Sequence, residues 1–495
     1  MPYKQLGPGF HSLSTLIVFC LIAALVSAGA ALAAPTPAAQ QQESAAGTAL
    51  SAPAERALSA PGAGTALSAP GASHALSAKG ALFLAQRLLE QGRTDDAETI
   101  YAALRESSGE EIRTEASFQL AHIRLRQGRT RQAIVLFNEI LNRRPELVRV
   151  RLDLARAYFL DRNFEDAAFQ FELVKGGDLP PEVLANVDHF LDAIRRQKNW
   201  TLDFGLSPVS DSNINQASGG REECIDTIFG TLCRPLRQKA SGYGLTGNAT
   251  VNYFWRFHQD WGLRATLGFH GTAYEDNEFD DYSLYAALGP RYLWGSGEAS
   301  VQPTFRKRWI GTRQYSEEYG LRFDGRQIFK RLLLSFGGSI AAVNYENPYV
   351  HSVLKGHNWN AYIQPRYILT DRAFVQVGLS FLQEDTKARS FANDNWRYAL
   401  GVFHAFPYGI NMFVEGSLTD TRYQAPQWYI TRDNRIAVTT RKDKTWQVMT
   451  SLSSNIFERY NLTPVLQYTY TNRESNIWTR EYERHRVNFM LNYRF

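Results

Sequence analysis

Two cysteines and a run of arginines are the residues of this chain whose types and spacing could do chemistry. Cys224 and Cys233 stand nine positions apart. In an exported chain the setting is oxidising, so a disulfide between them is the expected outcome. It would close a loop of about ten residues and contribute roughly 2–3 kcal/mol on the entropy model, acting locally. Two thiols alone make a poor metal site. Between residues 120 and 160, nine Arg stand against three acidic residues. That excess is either a solvated basic surface or a docking face for an acidic protein or for membrane headgroups. The 10 His are scattered, without His-x3-His in a usable context, and no Gly-rich phosphate loop precedes a helix. No enzyme, cofactor or metal centre is therefore expected.

The C-terminal stretch shows what kind of element must carry these groups. Val487, Phe489, Leu491, Tyr493 and Phe495 fall on one face of a strand; Arg486, Asn488, Asn492 and Arg494 fall on the other, since strand side chains alternate with period two. An apolar face ending in an aromatic, opposed by a charged face, fits the closing strand of a membrane barrel. The terminal pattern Phe489, Leu491, Tyr493, Phe495 also resembles the assembly signal of bacterial outer-membrane proteins. Aromatic residues make up 13% of the chain, with 24 Tyr and 29 Phe, which suits girdles at two lipid interfaces. Beyond residue 34 no apolar run approaches the ~18 residues of a helical span. At 495 residues the chain exceeds one compact core, and its net charge of +5 is too small to name a partner. No nucleic-acid partner is expected.

The N terminus reads as an export signal spanning residues 1–33. Lys4 precedes an apolar run from Leu13 to Val26, and Ala31-Leu32-Ala33 supplies a small-x-small cleavage site before Ala34. Cys20 lies inside the apolar run behind Phe19, where a lipoprotein signal needs a small residue, so no lipid anchor is expected. Residues 34–78 are low in complexity, with Ala-Leu-Ser-Ala-Pro at 49–53, 57–61 and 66–70. Little there is large enough to bury, and a disordered spacer is expected.

From Lys79 the spacing becomes helical and repeats. Leu84-Ala85, Leu120-Ala121 and Leu154-Ala155 are related by steps of 36 and 34 residues. So are the turn positions Gly92, Gly128 and Arg162, and the pairs Ala97/Tyr101, Ala133/Phe137 and Ala167/Phe171. Such a helix–turn–helix period, with small-x3-aromatic in the second helix, resembles tetratricopeptide repeats. The Trp of that pattern is replaced by Ala81, Ser117 and Arg151. A further helix from about Pro181 to Lys198 would cap the module at 79–198. The concave face of such a solenoid, lined by first helices, would carry Gln86, Glu115, His122, Arg126, Arg149 and Arg156. Of these, His122, Arg126, Arg149 and Arg156 are the candidate docking residues.

From residue 199 to the C terminus, segments of about ten residues alternate with period two. The expected strands are 200–208, 241–255, 261–274, 281–294, 300–313, 319–331, 333–344, 357–369, 373–385, 394–405, 410–423, 443–456, 462–473 and 484–495. These 14 strands form an even set, as a single-chain barrel requires. The longest gaps, 209–240, 345–356 and 424–442, all follow odd-numbered strands. Short periplasmic turns and long external loops would put the helical module in the periplasm.

A signal peptide, a short periplasmic tetratricopeptide domain and a 14-stranded C-terminal barrel together resemble the surface lipoprotein assembly modulator (Slam) family. The run Asp211-Ser212-Asn213-Ile214-Asn215 after the first strand is similar to that family's stretch at this place. The resemblance covers about 79–495. It implies an outer-membrane translocon of a Gram-negative bacterium, carrying client proteins from periplasm to cell surface. Implied clients are surface lipoproteins or secreted haem-binding proteins of metal acquisition. Periplasmic chaperones, the barrel-assembly machinery and outer-membrane lipid would be its other partners. The alternative is an exopolysaccharide-export porin. Such exporters carry longer repeat arrays and a lumen rich in acidic residues, whereas the inward residues here mix Arg, Asn, Thr and His.

Overall fold

The structure, a computed structural model, describes residues 66–67, 76–106, 109–177, 179–197, 199–457 and 462–493, all within one compact unit that begins at Gly64. The expected signal peptide, most of the 34–78 spacer, Arg494 and Phe495 lie outside the described residues. At the end of the spacer, Ala66–Leu67 pairs antiparallel with Leu76–Ser77.

Seven helices follow: α1 (Ala78–Glu90), α2 (Thr94–Leu104), α3 (Glu110–Arg126), α4 (Thr130–Arg143), α5 (Val148–Leu160), α6 (Phe164–Val174) and α7 (Pro181–Gln197). Ser77 caps α1, its hydroxyl accepting the Gly80 N–H at 3.2 Å. Each of the three helix pairs turns through a Schellman closure. Gly92, Gly128 and Arg162 donate to Leu89, Leu125 and Phe159, and the following residue donates to Leu88, Arg124 or Tyr158. All three turn residues have positive φ. The Ala97/Tyr101, Ala133/Phe137 and Ala167/Phe171 pairs are almost wholly buried. The small residue admits the neighbouring helix, and the aromatic four positions on fills the groove. Arg105–Glu139 at 2.6 Å and Thr130–Asp161 at 2.7 Å bridge successive repeats.

The remaining chain closes into an antiparallel barrel of 14 strands. These are β1 (Trp200–Asp211), β2 (Gly242–Arg256), β3 (Trp261–Tyr274), β4 (Asp281–Trp294), β5 (Gly297–Ile310), β6 (Arg313–Phe329) and β7 (Leu332–Tyr345). Then come β8 (Gly356–Thr370), β9 (Ala373–Thr386), β10 (Asn393–Ala405), β11 (Ile410–Ile430), β12 (Ile436–Ser454), β13 (Leu462–Ser475) and β14 (Tyr482–Tyr493). Neighbours in sequence pair throughout, and β14 returns to β1. Outward residues such as Leu206, Val377, Leu400, Phe489 and Leu491 are exposed for lipid, while the alternate residues line the lumen.

Two expected loops are strand instead. The 424–442 gap is mostly ladder, from Pro426↔Thr440 to Ile430↔Ile436, beyond a bulge after Arg422. The expected 314–318 gap is also ladder, and β5 turns into β6 through Gly311–Thr312. Period-two apolarity marks only the lipid-spanning part of a strand. Where both faces meet water, backbone pairing continues with no alternation to reveal it. The asymmetry of the two ends therefore lies partly in these extended hairpins. The long first connection holds its own hairpin, Glu222–Thr227 with Gly230–Pro235.

Candidate functional site

The helical module seats on the barrel end that carries the short turns, and it touches all six of them. Arg196 of α7 donates to the Gln259 carbonyl at 3.1 Å and stands 3.6 Å from Asp260. Arg195 donates to the Gly295 carbonyl. Arg331 reaches back to the Gly177 carbonyl at 3.1 Å. Arg151 lies 3.6 Å from Asp371, and α4 packs on the turn Pro407–Gly409. Asn455 donates to the side-chain oxygens of Asn138 and Asn142 at 3.2 and 3.1 Å. The fit is close: a Cβ on Gly176 would come within 2.5 Å of the Thr370 backbone.

The second helix of the last repeat goes further and enters the lumen. Leu173 and Phe169 of α6 pack on the inward residues Ile368, Phe374, Phe403 and Phe413. Phe169 meets Phe403 edge-on at 5.5 Å, and Phe403 stacks on Phe374 at 4.8 Å. Beside this apolar socket, Glu172 pairs with the inward Arg326. Burying Leu173 and Phe169 among four lumenal apolar groups removes them from water and holds the module in place.

Beyond the socket residues themselves, the lumenal wall is polar, with its charges paired within and between strands. Arg264 donates to Asn252 at 3.0 Å, Arg308 to Asp281 at 2.6 Å, Arg366 to Gln376 at 2.9 Å and Arg397 to Glu415 at 2.6 Å. Arg291 pairs with Glu298 and Arg322 with Asp324. Cation and acceptor thus alternate around the wall, rather than one sign prevailing.

At the β14–β1 junction the Asp211–Asn215 run forms a clasp. The buried Asp211 carboxylate receives Arg484 Nε at 2.9 and 3.0 Å, and also the Tyr274 hydroxyl and the Asn213 N–H. Ser212 N–H donates to the His485 carbonyl, and its hydroxyl accepts the His485 N–H at 2.8 Å. Asn213 is fully buried and donates to the carbonyls of Ala217 and Glu483. Asn215 ties the same loop to Gln238 and Ala240.

The candidate docking residues lie on the first helices α3 and α5, away from the α6 residues seated in the socket. His122 Nε2 stands 3.2 Å from Asp153 across α3 and α5, and its ring meets Phe118 edge-on. Arg149 covers the Phe118 ring at 5.4 Å. These two residues therefore share one cluster. Arg126 and Arg156 have no ion-pair partner among the described residues. Glu115 accepts from Gln119 at 2.8 Å, and Gln86 is exposed. Below this face, burial and then the Glu115 charge push the Tyr101 hydroxyl up to about 12. Of the nine arginines between 120 and 160, five are neutralised: Arg124, Arg129, Arg131, Arg144 and Arg151. Cys224 and Cys233 are bonded across the loop hairpin. Phe489 and Leu491 face outward on β14, which ends at Tyr493.

Sequence reasoning missed the docking surface between module and barrel, although one signal was present. Arg151 occupies the position where the repeat pattern has an aromatic, and an arginine there needs a partner from outside the repeat. Asn138, Asn142, Glu172 and Asp371 carry no such mark.

Family models match in two consecutive pieces: "Surface lipoprotein assembly modifier, N-terminal TPR repeats" over residues 86–171 and "Surface lipoprotein assembly modifier" over residues 200–495. A surface lipoprotein assembly modifier of Pasteurella multocida is 23% identical over 384 residues, covering 73% of each chain. Surface lipoprotein assembly modifier 1 of Neisseria meningitidis serogroup B is 23% identical over 368 residues, covering 73% of this chain and 72% of its own. The hemophilin secretion modulator of Acinetobacter baumannii is 23% identical over 393 residues, 74% of this chain and 76% of its own. With its repeat module and its closed 14-stranded outer-membrane barrel both matched, the chain belongs to the surface lipoprotein assembly modifier family.

Proposed function

We propose that this protein is an outer-membrane translocon that delivers client proteins from the periplasm to the cell surface. The clients are surface lipoproteins or secreted haem-binding proteins; the names of its relatives mention surface lipoprotein assembly and hemophilin secretion. The observation that carries the reading is the module seated over all six short turns with Gln86, Arg126 and Arg149 of its first-helix face exposed among the described residues. A client captured on that face is held at the entrance of the barrel. His122, Arg126, Arg149 and Arg156 are the docking residues, with Arg126 and Arg156 free to pair with acidic client groups. Periplasmic chaperones hand the client over, and the barrel-assembly machinery inserts the barrel in outer-membrane lipid through its terminal Phe489–Phe495 strand.

A polysaccharide conduit fits less well, because the lumenal Glu298, Asp324 and Glu415 are each paired with an arginine rather than aligned as an acidic track for a cationic sugar. The test is surface display. A lipoprotein or haem-binding protein encoded beside this gene is co-expressed with it, and protease accessibility is read on intact cells. Client exposure should require the protein and its residues 79–198, and Arg126→Glu with Arg156→Glu should reduce it severalfold. Equal exposure with and without the protein, the barrel being inserted, sinks the reading.

A further inference from the structure

The β14–β1 seam differs from every other junction in the wall. It has five register pairs among the described residues: Arg486↔Asp211, Val487↔Ser210, Asn488↔Val209, Leu491↔Leu206 and Asn492↔Gly205. The ladder lapses where Phe489 and Met490 lie opposite Pro208 and Ser207. Pro208 has no N–H to give, and the Ser207 hydroxyl turns to the Pro208 carbonyl at 3.1 Å. The strands flanking the seam are otherwise well paired, β1 to β2 from Trp200 to Asp211 and β13 to β14 from Leu462 to Tyr493. The β4–β5 and β8–β9 ladders also lapse beside prolines, at Pro290 and Pro365, but keep 11 and 12 register pairs, so the sparsest pairing lies at this one junction, between two strands each anchored on its other side.

Two further observations bear on this junction. On its lumenal side, Asn488 Oδ1 and Arg486 Nε are buried without a hydrogen-bond partner, a cost that a wall built only for closure would avoid. The external end is the opposite: Asp211, Ser212 and Asn213 bind Arg484, His485 and Glu483 in a many-bonded clasp. The seam is therefore fastened at the surface end and loosely paired below it.

We propose that the β1–β14 seam is a strand-addition site, where an extended segment of the exported client pairs with the β1 edge. This rests on the translocon reading and adds where, and by what chemistry, the client is held. An open strand edge offers backbone donors and acceptors in register, so recognition is of extended backbone rather than of one sequence. The wall fixes the pattern of the segment. One face would look toward lipid beside Leu206 and Leu491, and the other toward the lumen beside Arg486 and Asn488. The partner is an amphipathic strand with alternating apolar and polar residues.

The experiment locks the seam. Leu206→Cys with Leu491→Cys joins two outward register partners across it, and Val377→Cys with Leu400→Cys joins the outward partners of β9 and β10 as a control. The readout is surface exposure of the co-expressed, gene-adjacent client, with cross-linking verified on non-reducing gels. Exposure should fall at least tenfold in the seam-locked protein and stay at the unmodified level in the control. Full exposure from a completely cross-linked seam overturns the proposal and leaves the translocon reading standing. Unchanged exposure on deleting the whole protein overturns both. As a second measurement, a benzophenone amino acid at Leu206 or at Val377 should give client adducts at the former alone. Equal labelling at both positions, or none at Leu206, also overturns the proposal.

Discussion

Arg162 stands where the two earlier repeats place glycine, with φ of 62° beside 78° at Gly92 and 72° at Gly128. A side chain in that region costs about 1–2 kcal/mol, offset in part by the chain entropy a glycine loses on folding. Arg162→Gly should therefore stabilise the helical module by about 0.5–1 kcal/mol, and Gly128→Val should destabilise it by at least as much. Thermal melting followed at the helical circular-dichroism band checks both; a lower melting temperature for Arg162→Gly would contradict the backbone argument. Asp192 gives a second prediction. Desolvation raises its carboxyl, but hydrogen bonds from Arg196 and Arg195 outweigh burial and leave it below its ordinary value. A depressed carboxylate stabilises the folded state above its unfolded value of ~4, and that stability disappears as pH falls through the folded value. The helical melting temperature should drop between about pH 5 and pH 3, and drop less in Asp192→Asn. An identical drop in both proteins would remove Asp192 from the account. At this scale the sequence was legible wherever a position repeats: Arg162 was identifiable as a turn residue because Gly92 and Gly128 precede it by whole repeats. Nothing repeats around Asp192, and Glu172, although inside a repeat, has Ala102 and Asn138 at the equivalent positions, so their partners had no signal.

Between elements, the pair that ties a repeat to the wall is Arg151 with Asp371. Their side chains are 6% and 12% exposed and 3.6 Å apart. Arg151 also donates to Gln170 and to the Pro145 carbonyl, both at 3.0 Å. Removing one partner leaves the other charge buried, which costs about 3 kcal/mol or more, whereas replacing both by apolar groups is close to neutral. Asp371→Ala should speed hydrogen exchange across residues 144–151 on the order of a hundredfold. Arg151→Met with Asp371→Leu should restore most of the protection. If the double variant exchanges as fast as the single one, the two groups are not coupled. The element scale is also where the sequence spoke most clearly. Alternation located every barrel strand because lipid and lumen demand opposite side chains at adjacent positions. It missed the Pro426–Ile430 and Ile436–Thr440 extensions, where water bathes both faces. A docking surface between two elements has no period of its own, and so the turn contacts of α4, α6 and α7 were invisible.

For the whole molecule, the seated module and the passage of a client compete for the same mouth. Phe169 and Leu173 fill the lumenal socket of Ile368, Phe374, Phe403 and Phe413, and Glu172 holds Arg326 beside it. A client entering by the lumen has to displace this foot; one pairing with the seam has only to part five register pairs. Phe169→Ser with Leu173→Ser should weaken docking by several kcal/mol, each change costing ~2–4 kcal/mol in lost burial. Since the module remains tethered through residue 199, it would swing away rather than dissociate, and the mouth would open intermittently. Planar-bilayer recordings of the purified protein should then show a rise in conductance with flickering between two levels, where the unaltered protein conducts little. A steady conductance equal to that of the unaltered protein would mean that the lumenal pairs, not the helical foot, close the barrel. The same variant measured for client display separates the routes. Impaired or leaky export with an open mouth implicates the lumen, whereas normal export from a barrel that conducts ions freely leaves the seam as the path that matters.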